Sequence, residues 1–488
     1  MLPMLHHPQK FFPSALAIPT YNQIGTHVGA SLATPASQNG RRKRRPYMPI
    51  RMQAGITLLI TALAISAAAP AALATPASAS ATPAASPAAD APAHAGRYDS
   101  YSGLLMAGYQ GWFNTPDDGA GRGWKHYNNK NGFRPGSAVI DFWPDVSEYA
   151  KTYPTEFHFA DGSPARVFSS YDQSTVDTHF RWMKEYGIDG VFMQRFVSSI
   201  KNKDAKRHGD TVLDHAMKAA LNYDRAICVM YDLGGMTHGD APLILADIEA
   251  LAAAHHFKPG ADRNANPSYL WHNGKPLVAL WGVGFGSRRD YNLDDVDHLI
   301  DALRRAGYSL MLGVPAYWRT LARDAVHDAR LHALIKKADI IMPWFVGRYN
   351  DATYLKTFPQ LIAGDLAWCK ANNITYVPLC FPGFSWKNLK SGENTTQTPR
   401  DKGRFFWKQL ATCAGSGATS IYVAMFDEMN EGTAIFKCAV EVPVGAPGST
   451  FVPMEPGVPS DRYLRLAGEA AKMLRKEIPL APPESPPN

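Results

Sequence analysis

The sequence predicts an α/β fold, a single-domain (β/α)8 TIM barrel, from two observations. Short apolar runs alternate with longer segments of helical periodicity from residue 97 to residue 476. Continuous apolar strands that alternate with helices are typical of a parallel sheet covered by helices. There are eight such runs, which is the number of strands in this barrel. An open, doubly wound sheet is the alternative, but no GxGxxG turn follows the first run.

The predicted strands are apolar in their bodies and end in aromatic or polar residues. In chain order they are Leu105–Phe113, Gly190–Phe196, Ala226–Asp232, Pro276–Phe285, Ser309–Tyr317, Ile340–Val346, Thr375–Phe384 and Thr419–Asp427. Helical periodicity marks the segments between them. These segments are Ser174–Tyr186 after a Ser/Asp-rich cap, Asp210–Asn222, Ala241–His255, Leu293–Ala306, Leu321–Lys337, Phe358–Ala371 and Arg400–Ala414. Together they form a repeated strand–helix unit over residues 97–476, the predicted catalytic domain.

Residues 1–74 have the features of a secretory signal. A basic run, Arg41–Arg45, precedes the uncharged apolar stretch Ile56–Ala69, and the segments 72–74 and 77–79 offer A-x-A cleavage sites. This order is typical of an exported protein, so we expect a secreted or periplasmic location. A membrane anchor is the alternative, but an apolar stretch of 14 residues is too short to cross a bilayer core of about 30 Å.

The rest of the two termini has little capacity to form a core. Because residues 1–47 are long for the start of a signal peptide, we expect translation to begin at Met48 or Met52. Residues 75–96 consist almost entirely of Ala, Pro, Ser, Thr and Asp, a composition that predicts a flexible linker. Residues 477–488 are rich in Pro and are predicted to be a disordered tail.

The charge distribution argues against nucleic acid as a partner. The formal net charge of +7 comes entirely from residues 1–74, which contain no acidic residue and seven basic ones: Lys10, Arg41, Arg42, Lys43, Arg44, Arg45 and Arg51. The remaining chain is neutral and has no net field to attract a polyanion. The five cysteines have no CxxC spacing. We predict no metal, no cofactor and no stable membrane anchor, and the sequence leaves cysteine pairing and oligomeric state open.

The predicted strand ends have the composition of a sugar-binding surface. The carboxyl ends of barrel strands face the active site. Aromatic rings can stack on the C–H faces of a sugar while carboxylates and amides bind its hydroxyl groups. Any one of these aromatic residues can instead be core packing, but the same composition recurs around the barrel. The predicted carbohydrate-binding residues are Tyr109, Trp112, Gln194, Arg195, Tyr231, Asp232, Trp281, Tyr317, Trp344, Phe384 and Trp386.

Two glutamates at the end of the eighth strand are the predicted catalytic residues. Glu428 and Glu431 follow an apolar run and precede Gly432-Thr433. Glycoside cleavage needs one carboxyl group to protonate the leaving oxygen and a second to act on the sugar. In an extended strand the two would point to opposite faces. A helical or bulged turn at Glu428 would bring them to about 5–6 Å, near the spacing of retaining glycosidases.

Three motifs also resemble a known family. Phe426–Thr433 (FDEMNEGT) matches an FNExxEGT pattern except at Asp427, Tyr109–Phe113 (YQGWF) is similar to YxxWY, and His126-Tyr127 is similar to a following His-Trp. With further similar stretches across most of residues 103–437, the chain resembles the glycoside hydrolase 71/99-like group, whose best-known branch contains the endo-α-1,2-mannosidases. It looks most like a bacterial subgroup labelled xylosidase/arabinosidase.

The resemblance implies roles for the two glutamates. In the mannosidase branch the first Glu deprotonates the sugar 2-hydroxyl to give a 1,2-anhydro sugar, and the second acts as general acid and then base. By position these are Glu428 and Glu431, and the similar His-Trp motif adds His126 to the substrate-binding residues. Asp427 and Asn430 are also predicted to bind substrate, because they close the eighth strand. This chain has Gln194-Arg195-Phe196 where the mannosidases have Trp-Tyr, which implies a different sugar. If that sugar lacks a suitably placed 2-hydroxyl, Glu428 is an ordinary nucleophile.

Two other function classes are left open. A carbohydrate-binding barrel that has lost catalysis would bind sugar without turnover, but both glutamates are present. An unrelated barrel lyase or hydrolase would need a metal or cofactor site, and no ligand spacing indicates one. The sequence therefore predicts a secreted glycoside hydrolase that cleaves an oligo- or polysaccharide with retention.

Overall fold

The computed structural model describes residues 97–390 and 397–487. The predicted signal segment 1–74 and linker 75–96 lie outside the described residues, as do residues 391–396 and Asn488.

Eight parallel strands form the centre of the described chain. They are β1 Leu105–Tyr109, β2 Gly190–Phe196, β3 Ala226–Asp232, β4 Lys275–Trp281, β5 Ser309–Pro315, β6 Ile340–Trp344, β7 in two parts Thr375–Tyr376 and Leu379–Cys380, and β8 Ile421–Val423. Each strand pairs with the next, and β1 also pairs with β8. The first part of β7 pairs with β6 and the second with β8. The predicted barrel is therefore confirmed.

The division of β7 follows from Pro378, which lies between its two parts. Proline has no backbone N–H to donate to a neighbouring strand. Its carbonyl oxygen instead accepts a hydrogen bond from the Tyr422 N–H of β8 at 3.0 Å, while the Val377 N–H still donates to Ile341 of β6 at 2.9 Å. The strand thus changes partner at the proline and still joins the two sides of the barrel.

Helices follow the strands around the outside. They are α1 Gln173–Tyr186, α2 Lys203–Tyr223, α3 Ala241–Ala254, α4 Leu293–Arg305, α5 Arg330–Ile335, α6 Tyr354–Ala371, α7 Arg404–Gly415 and α8 Arg462–Leu474. A short helix, Val197–Ile200, comes directly after β2. Helix α8 has no counterpart among the predicted helices, and its buried face packs on α7 and α1.

Several helices begin at positions that differ from the prediction, and the differences are largest for α2 and α5. Helix α2 begins seven residues early because the Asn202 side chain caps it, accepting from the Asp204 and Ala205 N–H groups. Helix α5 is much shorter than the predicted 321–337. The Asp324 carboxylate ties that segment back to the end of β5 by accepting from the N–H groups of Ala316 and Tyr317, each at 3.1 Å.

The strands alternate between the barrel interior and the helical shell, as their period of two requires. Gln194 faces inward, because its amide nitrogen donates to the Tyr422 hydroxyl at 3.0 Å across the barrel. Gly108 of β1 also faces inward. A β-carbon there would lie 2.3 Å from the Tyr422 hydroxyl oxygen, so any larger residue would have to displace side chains inside the barrel.

Long connections cover one side of the barrel. Residues 110–172 join β1 to α1 and contain the two-stranded hairpin of Tyr153–His158 and Pro164–Val167. At the other terminus, the predicted disordered tail forms neither helix nor strand up to Pro487. It is nevertheless anchored, since the Trp407 indole donates to the Pro482 carbonyl oxygen at 3.0 Å and Ile478 packs against the core.

All five cysteines lie in the described part of the chain, and each is buried with a free thiol. Cys380 of β7 and Cys413 of α7 are neighbours, with their sulfur atoms 3.4 Å apart. Within the described ranges no helix is long and apolar enough to cross a membrane. In the same ranges no group of three His, Cys, Asp or Glu side chains is arranged to hold a metal ion.

Candidate active site

The eighth strand ends before the carboxylate motif, and the chain then reverses direction. The N–H groups of Thr433 and Ala434 donate to the Glu428 carbonyl oxygen at 3.1 and 3.0 Å, and the Met425 N–H donates to the Thr433 carbonyl at 3.0 Å. Gly432 has a φ of 66°, a left-handed conformation that glycine adopts without strain. Glu428 and Glu431 therefore share one tight turn at the carboxyl end of β8, as the sequence analysis required of a working pair.

Glu428 is buried, and each of its carboxylate oxygens has a polar neighbour. The Gln110 amide nitrogen lies 3.4 Å from Oε1, and the Thr433 hydroxyl lies 3.3 Å from Oε2. Burial raises the pKa of Glu428 well above its ordinary value, and the nearby Glu431 and Asp427 carboxylates raise it further. The hydrogen bonds from Thr433 and Gln110 act in the opposite direction.

Glu431 occupies the other end of the turn. Its backbone carbonyl accepts from the Ser385 N–H at 2.9 Å, which ties the turn to the segment after β7. Burial raises the pKa of Glu431 to about 7, opposed by the Trp386 indole and the Lys390 ammonium group. The Lys390 nitrogen lies over the Trp386 ring, 3.4 Å from its centroid.

The two carboxyl groups interact electrostatically. Burial and the Glu431 carboxylate both raise the pKa of Glu428, so ionisation of both groups at once is disfavoured. One protonated and one ionised carboxyl group are the two forms that glycoside cleavage needs at the same time.

Four predicted binding residues on the inner face of the barrel line its mouth. The register aligns Phe196 of β2 with Asp232 of β3, and Asp232 with Trp281 of β4. Trp281 meets the Trp344 ring at a centroid distance of 5.2 Å, nearly perpendicular. On the other side of Phe196, the Trp112 ring is stacked at 5.7 Å. Aromatic faces thus extend across the mouth from β1 to β6, while Gln194 lies one layer deeper.

Asp232 adds a third titratable carboxyl group to the mouth. One of its oxygens accepts from the Gly234 N–H at 2.6 Å. Burial raises the pKa of Asp232 to about 7, and the Arg289 guanidinium opposes this rise. That guanidinium lies 5.9 Å from the Trp281 ring centroid. The structure therefore places Asp232 beside the aromatic surface, consistent with its predicted contact with substrate.

Two predicted binding residues belong to the outer wall, which corrects their assignment. The Arg195 guanidinium donates to Asp247 of α3 and Asp210 of α2, at 2.7 and 2.6 Å for its terminal nitrogen. The Tyr231 hydroxyl also donates to Asp247, at 2.7 Å. Both residues directly adjoin inward-facing residues in sequence, so the period of two points them toward the helices. Their buried ion-pair cluster fastens α3 to the sheet.

Tyr109 and Asp427 are also structural residues. The Tyr109 hydroxyl shares a hydrogen bond of 2.8 Å with His179 of α1, and its ring stacks on Phe426. The Asp427 carboxylate accepts from the N–H groups of Gln110 and Gly111, both at 2.8 Å. Burial raises the pKa of Asp427 to about 6, although both hydrogen bonds lower it. Asp427 thus fastens the turn of Glu428 and Glu431 to the end of β1, and both of its carboxylate oxygens are engaged there.

The other predicted residues take varied positions. His126 stacks face to face on Trp112, with centroids 3.9 Å apart, and burial lowers its pKa to about 3, so the ring is neutral. Phe384 packs on Trp386 at 4.9 Å. Tyr317 lies in the loop after β5 beneath the Arg323 guanidinium, which is 4.4 Å from its ring. Asn430 is buried between the two glutamates of the turn.

The sequence analysis missed Gln110, Thr433 and Phe196 as parts of the site. Gln110 lies inside the YQGWF motif and is two residues from the inward-facing Gly108. Side chains two residues apart along an extended chain point to the same side, so the inward-facing Gly108 could have indicated that Gln110 faces inward as well. Thr433 was recognised as part of the motif but not as a partner of Glu428, because that contact depends on how the turn closes.

Several buried polar atoms around the mouth find no hydrogen-bond partner within residues 97–390 and 397–487. They are the indole nitrogens of Trp112 and Trp281 and the amide oxygens of Gln110 and Asn430. Unsatisfied buried donors and acceptors are rare in native proteins because each costs about 1–3 kcal/mol. Such donors and acceptors can be satisfied by the hydroxyl groups of a sugar.

Comparison with known proteins gives a consistent likeness. No family model matches the chain. It is 22% identical over 402 residues to the glycoprotein endo-α-1,2-mannosidase of Mus musculus, covering 77% of this chain and 75% of that protein. It is 20% identical over 391 residues to the enzyme of the same name from Rattus norvegicus, with the same coverage.

Among solved structures, the chain is similar to a glycoside hydrolase family 99 endo-α-mannosidase from Bacteroides thetaiotaomicron. The TM-score is 0.53 at 15% identity, covering 77% of this chain and 98% of that chain. The structure of the same enzyme in complex with bis-tris propane gives a TM-score of 0.51 at 16% identity. This likeness shows that the barrel fold is shared.

These comparisons confirm the predicted enzyme class, a glycosidase, and the predicted likeness to the family 99 endo-α-mannosidases. The xylosidase/arabinosidase label finds no support in them and stays a prediction.

Proposed function

We propose that this glycosidase is an exported enzyme that cleaves an α-linked oligo- or polysaccharide with retention of configuration, using Glu428 and Glu431. The observation that carries the proposal is the turn after β8. It places the buried Glu428 and the half-buried Glu431, both with raised pKa values, at the end of the barrel where the aromatic strand-end residues lie. A site built only to bind sugar gains nothing from two acids that must share a proton.

The environments of the two glutamates suggest separate roles. Glu431, with a pKa of about 7, is protonated in a substantial fraction of molecules at neutral pH and can donate its proton to the leaving oxygen. Glu428 receives two hydrogen bonds that favour its ionised form. It is the group that acts on the sugar, either by deprotonating a 2-hydroxyl or by attacking the anomeric carbon.

The free enzyme does not yet have this distribution of charge. Without a ligand, burial and the neighbouring Glu431 and Asp427 carboxylates oppose ionisation of Glu428. A sugar hydroxyl donating to Glu428 would favour its ionised form and shift the proton to Glu431. Substrate binding therefore prepares the pair for catalysis.

The substrate class is proposed from the relatives. The two curated relatives are named endo-α-1,2-mannosidases, so we propose an α-mannosyl linkage first. Xylosyl and arabinosyl linkages are the alternatives, because Gln194-Arg195-Phe196 departs from the mannosidase pattern at β2. The position of Arg195 in the wall leaves Gln194 and Phe196 as the residues of this group that can affect specificity.

The test uses residues 97–488, α-mannosyl, xylosyl, arabinosyl and glucosyl oligosaccharides, and the variants Glu428→Gln and Glu431→Gln. Glu441→Gln, at an exposed glutamate, is the matched control. We expect wild type and the control to release sugar with retained configuration, measured by chromatography and by NMR of the anomeric proton. Each catalytic variant should lose at least about 10³-fold in kcat.

Other outcomes would change the proposal. Sugar binding without turnover by wild type would identify an inactive binding protein. Turnover that survives in both variants would mean that other groups carry the chemistry.

We also propose export through the signal segment of residues 1–74. The full-length gene product, expressed in a secreting bacterial host, should appear outside the cytoplasm. Sequencing its amino terminus should show cleavage after residue 74 or 79. An intact amino terminus on a cytoplasmic product would contradict export.

A further inference from the structure

Gln110 lies at the point where β1, the catalytic turn and the barrel mouth meet. Its backbone N–H and that of Gly111 are both held by the Asp427 carboxylate at 2.8 Å. A carboxylate that accepts hydrogen bonds from two adjacent backbone N–H groups fixes the position of that backbone segment. The Cα atom of Gln110, from which its side chain extends, is therefore held in a fixed position.

That side chain reaches Glu428. The amide nitrogen of Gln110 lies 3.4 Å from Glu428 Oε1, and this contact favours the ionised form of the glutamate. The Thr433 hydroxyl approaches the other oxygen. Because Thr433 is on the same turn as Glu428, it moves with that turn, whereas Gln110 directly follows β1 and fixes the carboxylate relative to the barrel.

The amide oxygen of Gln110 is the second polar atom of this side chain. It is buried and has no hydrogen-bond partner within the described ranges, although the nitrogen of the same amide is engaged. An unsatisfied acceptor beside a catalytic carboxylate can be satisfied by a hydroxyl donor of the ligand.

We propose that Gln110 is a positioning residue for Glu428 that also accepts a hydrogen bond from a hydroxyl group of the sugar bound next to that carboxylate. This inference rests on the proposed function. Asp427 sets the backbone of Gln110, the amide nitrogen holds the Glu428 carboxyl group in place, and the amide oxygen aligns the sugar beside it.

Two variants of similar size separate these contributions. Gln110→Met removes both the donor and the acceptor, and Gln110→Glu replaces the donor by a second carboxyl group. Gln173→Leu, at the start of α1, is the matched control outside the site. The first readout needs no substrate: NMR titration of the side-chain carboxyl carbons in protein labelled with ¹³C-glutamate, with the Glu428 signal assigned from Glu428→Gln.

Loss of a hydrogen bond to a charged group raises the pKa of Glu428 in Gln110→Met by about one unit. The added carboxyl group in Gln110→Glu raises it further. A residue with only a structural role would lower the thermal midpoint without moving this titration. An unchanged Glu428 titration in both variants would overturn the positioning role.

The second readout is steady-state kinetics on α-1,2-linked mannotetraose, or on the panel sugar that wild type cleaves. We expect Gln110→Met to lower kcat by about 10- to 100-fold and to raise KM, because the sugar hydroxyl loses its acceptor. An unchanged KM would overturn the sugar contact. If wild type cleaves no sugar, the proposed function fails, while the titration still decides whether Gln110 positions Glu428.

Discussion

Replacement of Arg400 by lysine should weaken the hydrogen bonds that hold the turn of Glu428 and Glu431 in place. The Arg400 side chain is buried, and one of its terminal nitrogens donates to the carbonyl oxygens of Gly432 and Ala434 at 3.0 and 2.6 Å. Its guanidinium lies between two aromatic rings, 4.0 Å from Phe142 and 4.5 Å from Tyr463. The residue thus holds the end of the turn that carries both glutamates.

The magnitude follows from what lysine cannot replace. A hydrogen bond from a charged donor contributes about 1.5–3 kcal/mol, and an ammonium group cannot reproduce the planar geometry of guanidinium or its stacking. If the introduced lysine retains one of the two carbonyl contacts, we expect the free energy of unfolding to fall by about 2–3 kcal/mol. A shift of the turn by about 1 Å can cost on the order of 100-fold in rate, so kcat should fall more than KM changes.

Urea unfolding followed by tryptophan fluorescence measures the first effect, and initial rates on the cleaved oligosaccharide measure the second. Arg404→Lys is the control, because Arg404 is exposed and pairs with Asp401 at 2.7 Å. The reasoning is refuted if Arg400→Lys unfolds at the wild-type urea concentration with unchanged kcat. Reduced stability with wild-type kcat would show that other contacts position the turn.

Three further predictions test the wall, a titrating group and the barrel core. Arg195→Met removes the guanidinium from the buried Asp247, which keeps only Tyr231 and Lys206 as partners. The change should cost up to about 3–5 kcal/mol in urea unfolding, but kcat of the folded variant should stay near wild type. A selective loss of kcat would show that Arg195 acts on the substrate. The folded pKa of Asp232, about 7, lies above its ordinary value of 3.8, so its contribution to stability is complete below pH 4 and is lost as pH rises toward 7. Wild type should therefore lose up to roughly 4 kcal/mol relative to Asp232→Asn over this range, and parallel unfolding curves would contradict the raised pKa. Gly108→Ala should lower the free energy of unfolding by about 1–3 kcal/mol through overpacking against Tyr422. An unchanged thermal midpoint would show that the side chains of the barrel interior rearrange to accept the methyl group.

Much of the fold could be predicted from the sequence because each barrel strand is a separate apolar run. The apolar runs predicted all eight strands, and helical periodicity located most of the helices. The Glu428–Glu431 spacing at the end of the eighth run predicted that the two glutamates share one turn, and their catalytic role stays a prediction. The prediction required a turn at Glu428 to bring the two glutamates together. Gly432, near the end of that turn, is the residue type that such a reversal of the chain needs.

The sequence by itself therefore determined the repeating unit, the barrel and the position of the carboxyl pair along the chain. Only the tertiary structure decided which neighbour at each strand end faces the mouth: Gln194 and Asp232 inward, Arg195 and Tyr231 outward. The physical reason is that barrel strands are buried on both faces, so their sequence carries no polar side to mark solvent. Contacts between distant segments, such as those of Asp427 and Glu428 with Gln110, arise only when β8 closes against β1.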